Sequence, residues 1–385
     1  TFDGDTVTLK TDKAYAPSFV YNCLTAGVAN IVDMKTVMAN EVEGDMGNAW
    51  LKANSAGTGA YVLKSFKPNE GYVLEARAGH WRGDAKIKTI FMQHIPEGAT
   101  QRLLLEKGDI DIAREMTPTD IAGIEGNADL KVQGDVGGQV YYLALNQKKE
   151  ELANPKVQEA MRWAIDYQGM TDSILKGQWV VHQTFLPQGF LGALDENPYA
   201  QDLEKAKALM AESGLALPIE IGFTVRNNQE RMDIATSIQN SLAQIGINLV
   251  LDVGDGAQGL ATYRGRLHDI TLQTWGPDYP DPHTNASTFA LNPDNSDEAN
   301  ATGYLAWRTA WDPGADLNAE TSAAVEEKDS AKRAEMYADI QRKVRDNSAF
   351  VLMFQQARQD AMRANVTGFY AGGATDSATY WTISK

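Results

Sequence analysis

The run Leu272-Gln273-Thr274-Trp275-Gly276-Pro277-Asp278-Tyr279-Pro280-Asp281-Pro282 constrains this chain more tightly than any other stretch. Its three prolines stiffen the backbone, because each ring fixes φ and removes an amide donor. Asp278 is held there between Trp275 and Tyr279. An acid on a stiff backbone, partly screened from water by aromatic faces, suits a ligand with a positive charge such as a free amino group. Charge-assisted hydrogen bonds of this kind contribute about 1.5–3 kcal/mol each. By composition alone the same residues also suit a turn whose aromatics fill core.

Around this segment the sequence alternates strand and helix patterns. Tyr61–Phe66 and Gly71–Ala76 alternate on either side of Lys67-Pro68-Asn69-Glu70, the pattern of a hairpin. Ile87–Ile95 reads as a further strand. Thr100 is the expected cap of a helix with Leu103, Leu104 and Leu105 on its apolar side and Gly108 at its end, followed by a short strand over Ile110–Ala113. Asn154, with Pro155 at the first helical position, opens a helix striped by Val157, Ala160, Met161, Ala164 and Ile165. Asp202 opens a second helix, stopped at Gly214. Asn228 opens a third, striped by Met232, Ala235, Ile238, Leu242 and Ile245 and stopped at Gly246. Ile247–Val253 is then a strand, giving β-α-β order from Ile219. Ser330 begins a fourth helix, and Phe350–Phe354 is a strongly apolar strand. At the N-terminus, Thr6–Thr11 and Ile31-Val32 read as parts of a small α/β unit, with Glu41–Gly59 as a polar linker. Crossings between two α/β lobes are expected near Tyr142–Asn146 and Phe354–Arg358. Two such strands make a hinge, and the cleft between lobes is the expected ligand position.

A chain of 385 residues is long enough for two or three domains with sizeable cores. Its net charge of −16 offers nothing to neutralise phosphates, which excludes nucleic acid and disfavours an anionic membrane surface. The single cysteine, Cys23, excludes an intrachain disulfide and a cysteine-based zinc site. No apolar run approaches the ~20 residues that a membrane-spanning helix needs. No signal peptide is recognisable.

Catalytic patterns are missing. There is no Gly-x-Ser-x-Gly, no His-Glu-x-x-His and no Gly-x-x-x-x-Gly-Lys-Ser/Thr. Gly57-Thr58-Gly59 leads into a strand instead of a helix N-terminus, so it reads as a tight turn and not a phosphate loop. Asp278, Asp281 and His283 lie close in sequence, but the intervening prolines limit their convergence on a metal. No metal, cofactor or catalytic residue is expected.

Three further stretches keep company with Trp275–Pro282. Gly57-Thr58-Gly59-Ala60-Tyr61-Val62-Leu63 precedes Leu74-Glu75-Ala76-Arg77-Ala78-Gly79-His80-Trp81-Arg82-Gly83. Arg102-Leu103-Leu104-Leu105-Glu106-Lys107-Gly108-Asp109-Ile110-Asp111-Ile112-Ala113 follows, then Leu143-Ala144-Leu145-Asn146 and Asn154-Pro155-Lys156-Val157-Gln158-Glu159-Ala160-Met161-Arg162-Trp163-Ala164-Ile165-Asp166. In this order and spacing, over essentially the whole chain, they resemble the extracytoplasmic solute-binding proteins of ABC importers, in the peptide/nickel/oligopeptide group (family 5).

The resemblance implies an α/β, two-lobed periplasmic binding protein fold (type II, cluster C-like) with a hinge and an interlobe cleft. It implies the division 1–53 for the remainder of a small extra α/β lobe, 54–142 with 358–385 for a first lobe, and 143–357 for a second. It also implies that a long N-terminal family segment is missing, with Thr1 already inside the extra lobe. The implied function is a non-enzymatic receptor that binds a short peptide and delivers it to a membrane permease, as a periplasmic monomer. An opine, an oligosaccharide or a metal chelate would suit the same fold. Asp278 resembles the family's partner for a ligand α-amino group. Trp275 and Tyr279 would wall that pocket, the Thr274–Gly276 backbone would pair with an extended ligand, and Tyr141 and Tyr142 would line the cleft. A cation for the ligand's carboxylate has no evident counterpart. Leu272 stands where one is expected, with Tyr263, Arg264 and Arg266 nearby.

Overall fold

The computed structural model describes residues 2–4, 6–375 and 378–385. Its strands are β1 (Phe2–Asp3), β2 (Thr6–Val7), β3 (Tyr61–Lys67), β4 (Gly71–Ala76), β5 (Thr89–Gln93), β6 (Ile112–Arg114), β7 (Leu130–Leu145), β8 (Trp179–Val181), β9 (Ile219–Arg226), β10 (Ile247–Gly254), β11 (Ile270–Trp275) and β12 (Phe350–Arg363). The chain forms two compact units. One comprises Thr1–Cys23 and Val136–Gln356, the other Leu24–Asp135 and Ala357–Lys385.

The larger unit is built on a mixed sheet in the order β10-β9-β11-β7-β12, with β8 also paired to β12. β9 runs parallel to β10 and to β11, while β11 and β7 are antiparallel, with Trp275 opposite Val140 and Ile270 opposite Leu145. The β-α-β order expected from Ile219 is present as β9, the Gln229–Ala243 helix and β10. Local chemistry explains three of the helix starts. Asn154 Oδ1 accepts from Lys156 N at 3.0 Å, Asp202 Oδ1 from Lys205 N at 2.9 Å and Asn228 Oδ1 from Arg231 N at 3.0 Å. Such caps contribute about 1 kcal/mol each. Gly214 and Gly246, just past two of these helices, take the positive φ that side chains resist. Ser330 is the first residue of the Ser330–Asn347 helix, and its cap is Asp329.

Val140–Leu145 of β7 are all buried. Tyr141, Leu143 and Leu145 join Met161, Leu209, Ile234 and Ile238 in one core cluster. Tyr142 instead meets Phe289 and Phe350 edge-on, at centroid distances of 5.1 and 5.7 Å. Both faces of the strand are therefore covered, which is why this stretch reads as an unbroken apolar run. Removing each large side chain from water contributes about 1.5–3 kcal/mol.

The units change over between Asp135 and Val136, ahead of Tyr142–Asn146, because Val140–Leu145 belong to the larger unit's core. The second changeover lies between Gln356 and Ala357. The first 23 residues lie with the larger unit, where Ala16 N donates to Val325 O at 3.0 Å and Asn22 Nδ2 to Pro280 O at 2.9 Å.

In the smaller unit, β3, β4 and β5 form an antiparallel meander, and β6 pairs with the end of β12. Gly71, after the hairpin turn, has φ +146° and lies so close to Met92 O that a Cβ would fall 1.9 Å away. Two boundaries differ from expectation. The Gly98–Lys107 helix begins ahead of Thr100, since Thr100 N and Gln101 N already bond to Glu97 O at 3.1 Å. β6 begins at Ile112 instead of Ile110. Only Thr6–Val7 of the expected N-terminal strand pairs, with Phe2–Asp3, and Ile31 and Val32 lie outside any strand, Ile31 being 80% exposed.

Candidate ligand-binding pocket

β11 carries the key segment to its site. Its register with β9 covers Ile270 and Thr271, and among the described residues the pairing does not continue from Leu272 onward. The other edge is occupied, with Thr274 opposite Tyr141 on β7. Arg231 lies against the freed stretch, donating to Leu272 O and Thr274 Oγ1, both at 3.0 Å.

Past Trp275 the chain turns into the His283–Phe289 helix. Asp281 N bonds to Tyr279 O at 2.8 Å, His283 N to Asp281 Oδ1 at 2.9 Å, and Asp278 N to Thr284 Oγ1 at 3.1 Å. The segment is anchored from below. Asp281, 0% exposed, accepts from Arg333 Nη2 at 2.7 Å and Nη1 at 2.9 Å, and Arg333 is itself 1% exposed. Arg333 also donates to Ala324 O at 3.0 Å and to Tyr337 Oη at 3.3 Å. A buried guanidinium and carboxylate satisfied in this way form a rigid foundation, and losing either leaves an uncompensated charge. Phe19 closes one side, edge-on to Tyr279 at 5.9 Å and to His283 at 5.7 Å.

Above this anchor lies a pocket of about 480 Å³ whose only acid among the described residues is Asp278. Trp275, Tyr279 and Tyr304 supply aromatic walls, Thr284, Ser287 and Thr288 supply hydroxyls, and Arg264 and Arg308 add positive charge. The volume falls within the range of small-molecule sites, ~300–1,000 Å³. Burial is the main reason that the Tyr279 hydroxyl is pushed far above the usual phenol range, so it stays a neutral hydrogen-bonding group. Burial likewise lowers His283 to about 4, against the opposing charge of Asp281, and keeps the ring neutral at pH 7.

The structure thus brings Trp275, Asp278 and Tyr279 into one pocket, with Thr274 and Gly276 flanking it in the chain. It corrects one expectation about Asp278, whose carboxylate is exposed on the pocket wall and not screened by the neighbouring rings. Tyr141 and Tyr142 are core residues and not pocket residues. Tyr141 Oη bonds to Glu230 Oε1 at 2.7 Å and its ring lies 4.3 Å from Trp179, while Tyr142 is enclosed by Phe289 and Phe350. Of the residues near the expected cation, Tyr263 and Leu272 are fully buried, and Arg266 is held by Asp297 and Asn295. Arg264 alone reaches the pocket. Sequence reading missed Arg308, Tyr304 and the hydroxyls of the His283–Phe289 helix. No pattern ties positions this far from Asp278 to it, although an arginine inside the apolar stretch Leu305–Arg308 does signal a charge needing a partner. No group of three His, Cys, Asp or Glu residues able to hold a metal ion is found among the described residues.

The model of bacterial extracellular solute-binding proteins, family 5 (middle region), matches residues 1–297. The chain is 28% identical over 373 residues to the "Probable D,D-dipeptide-binding periplasmic protein DdpA" of Escherichia coli, covering 95% of this chain and 69% of that protein. Its fold matches the periplasmic binding protein DppA of Helicobacter pylori in complex with the peptide STSA, with a TM-score of 0.82 at 20% identity, over 96% of this chain and 70% of that one. It also matches a Pseudoalteromonas dipeptide-binding protein in complex with Met-Leu, with a TM-score of 0.79 at 19% identity, over 96% and 71%. The fold is that of the two-lobed periplasmic binding proteins. With its family model matched over most of its length, the chain belongs to family 5 of the bacterial extracellular solute-binding proteins.

Proposed function

We propose that this chain is the solute receptor of an ABC importer and that its pocket takes a short peptide by the free α-amino group. The observation that carries the reading is Asp278, the only acid among the described residues that line the pocket, set beside Trp275, Tyr279 and Tyr304. An ammonium group placed there gains a charge-assisted hydrogen bond and aromatic faces that favour cations. The β11 stretch from Gln273 to Trp275, past its registered pairing with β9, offers backbone to an extended ligand, which binds main chain independently of side-chain identity. Relatives named for dipeptides support the same class. The receptor works outside the cytoplasm, as a monomer, without catalysis, and passes its ligand to a membrane permease. The long strands β7 and β12, through which the chain passes from unit to unit, are the candidate hinge positions.

Calorimetry with alanyl-alanine and N-acetyl-alanyl-alanine tests this reading. The free amine is expected to bind at least about tenfold more tightly, the equivalent of one charge-assisted hydrogen bond. Equal affinities would remove Asp278 from the ligand's amino group.

A further inference from the structure

The Tyr279 wall of the pocket is backed by a segment that the larger unit holds only lightly. Tyr15–Cys23 contains the seven-residue Pro17–Cys23 helix, none of whose residues is buried. It is pinned at separate points. Ala16, 2% exposed, donates its N–H to Val325 O at 3.0 Å. Ser18 Oγ accepts from Arg333 Nη1 at 3.3 Å, and Asn22 Nδ2 donates to Pro280 O at 2.9 Å. Phe19 lies tilted on Tyr15 at 5.2 Å and meets Tyr279 and His283 edge-on at 5.9 and 5.7 Å. The Cys23 thiol shares a hydrogen bond with the Tyr279 hydroxyl. None of the described residues of Tyr15–Cys23 lines the pocket, and directly after Cys23 the chain leaves the larger unit.

A helix this short does not persist by itself in water, so Pro17–Cys23 keeps its shape through those few contacts. An element held so lightly opens at low free-energy cost. Its contacts nonetheless fall on Tyr279, a pocket wall, and on Pro280, which joins that wall to the Asp281 anchor. Phe19 and Cys23 grip Tyr279 from outside the pocket, one by its ring and the other by its hydroxyl. The grip limits how the ring can swing and removes part of the ordering cost that a ligand would otherwise meet. Linkage makes the effect mutual. A ligand packed on Tyr279 tightens the segment by the same factor as the segment tightens the ligand. We propose that Tyr15–Cys23 is a strap that senses pocket occupancy through Tyr279, with Phe19 as its positioning residue. This rests on the pocket being the ligand site proposed above.

Cys23, the single cysteine of the chain, supplies the readout. Its rate of modification by a chromogenic aromatic disulfide is followed on the whole chain with and without alanyl-alanine, beside calorimetry of the same peptide. The wild type is compared with Phe19→Ala and Phe19→Tyr. Saturating peptide should slow the wild-type rate at least about fivefold, with a midpoint at the calorimetric Kd. Phe19→Ala should bind at least about fivefold more weakly and lose the protection even when peptide saturates the pocket. Phe19→Tyr, which keeps the ring, should retain both. Protection that persists in peptide-saturated Phe19→Ala overturns the proposal, as does a wild-type rate unchanged by bound peptide. Should Phe19→Ala not fold, Asn22→Ala, which deletes the bond to Pro280 O, takes its place with the same expectations. If alanyl-alanine does not bind the wild type, the peptide reading fails by itself, and the strap is judged without ligand. Tyr279→Ala should then speed Cys23 modification at least about fivefold, and an unchanged rate overturns the strap.

Discussion

Asp278 and Asp281 lie three residues apart in one proline-rich segment, yet they occupy opposite environments. Asp281 is sealed beneath the segment with both carboxylate oxygens on Arg333, while Asp278 is exposed on the pocket wall. The difference separates foundation from function. A buried pair holds the backbone still, and a free acid on that still backbone can meet an incoming charge without first being ordered. Much of the entropic cost of binding is then met on folding.

The largest expected break in this comparison is Asp281→Asn. It leaves the Arg333 guanidinium buried without its counter-charge and should lower unfolding free energy by about 3–5 kcal/mol in urea titrations. Asp281→Leu combined with Arg333→Met should recover much of that loss. A double variant no better than the sum of the two single ones would show that the pair is not coupled.

A pH dependence should follow from His283, which sits beside the anchor, with Tyr337 Oη 3.2 Å from its Nδ1. Its folded value of about 4, set mainly by burial, is below the ordinary 6.5. The unfolded chain therefore binds the extra proton first, and stability present above pH 6.5 is lost as pH falls toward 4. The full effect is about 3 kcal/mol. Buried His268, also lowered to about 4 by burial, acts in the same window. Unfolding measured at pH 7.5 and 4.5 should thus show a smaller loss for His283→Gln than for the wild type. Identical losses would contradict the burial argument.

Thr284→Val should have a smaller effect. Thr284 is buried, and its hydroxyl accepts the Asp278 amide at 3.1 Å, so the variant should lose about 1 kcal/mol in unfolding free energy. It should also blunt whatever affinity Asp278 provides, because that hydrogen bond orients the acid.

The sequence revealed these two acids unequally. Local rules found the caps at Asn154, Asp202 and Asn228 and the stops at Gly214 and Gly246, since each depends on neighbours within a turn. Where such a rule met a stronger hydrogen-bond pattern, as at Thr100, the boundary moved. Trp275, Asp278 and Tyr279 were legible because one short segment carries all three. Arg333 is 52 positions from Asp281, and Arg308 lies on a different helix from any other pocket group. Only tertiary packing brings them in. Tyr141 and Tyr142 misled for the opposite reason. An aromatic pair on a strand covered on both faces looks like a binding wall until its neighbours are known.

The most direct measurement is peptide calorimetry on Asp278→Asn, with its unfolding free energy taken alongside. Folding stability should stay within about 0.5 kcal/mol of the wild type, as for an exposed side chain with no structural partner. Affinity for a peptide with a free amino group should fall ten- to hundredfold, about 1.5–3 kcal/mol. Undiminished affinity in that stably folded variant would contradict the assignment of Asp278 as the ligand's anchor.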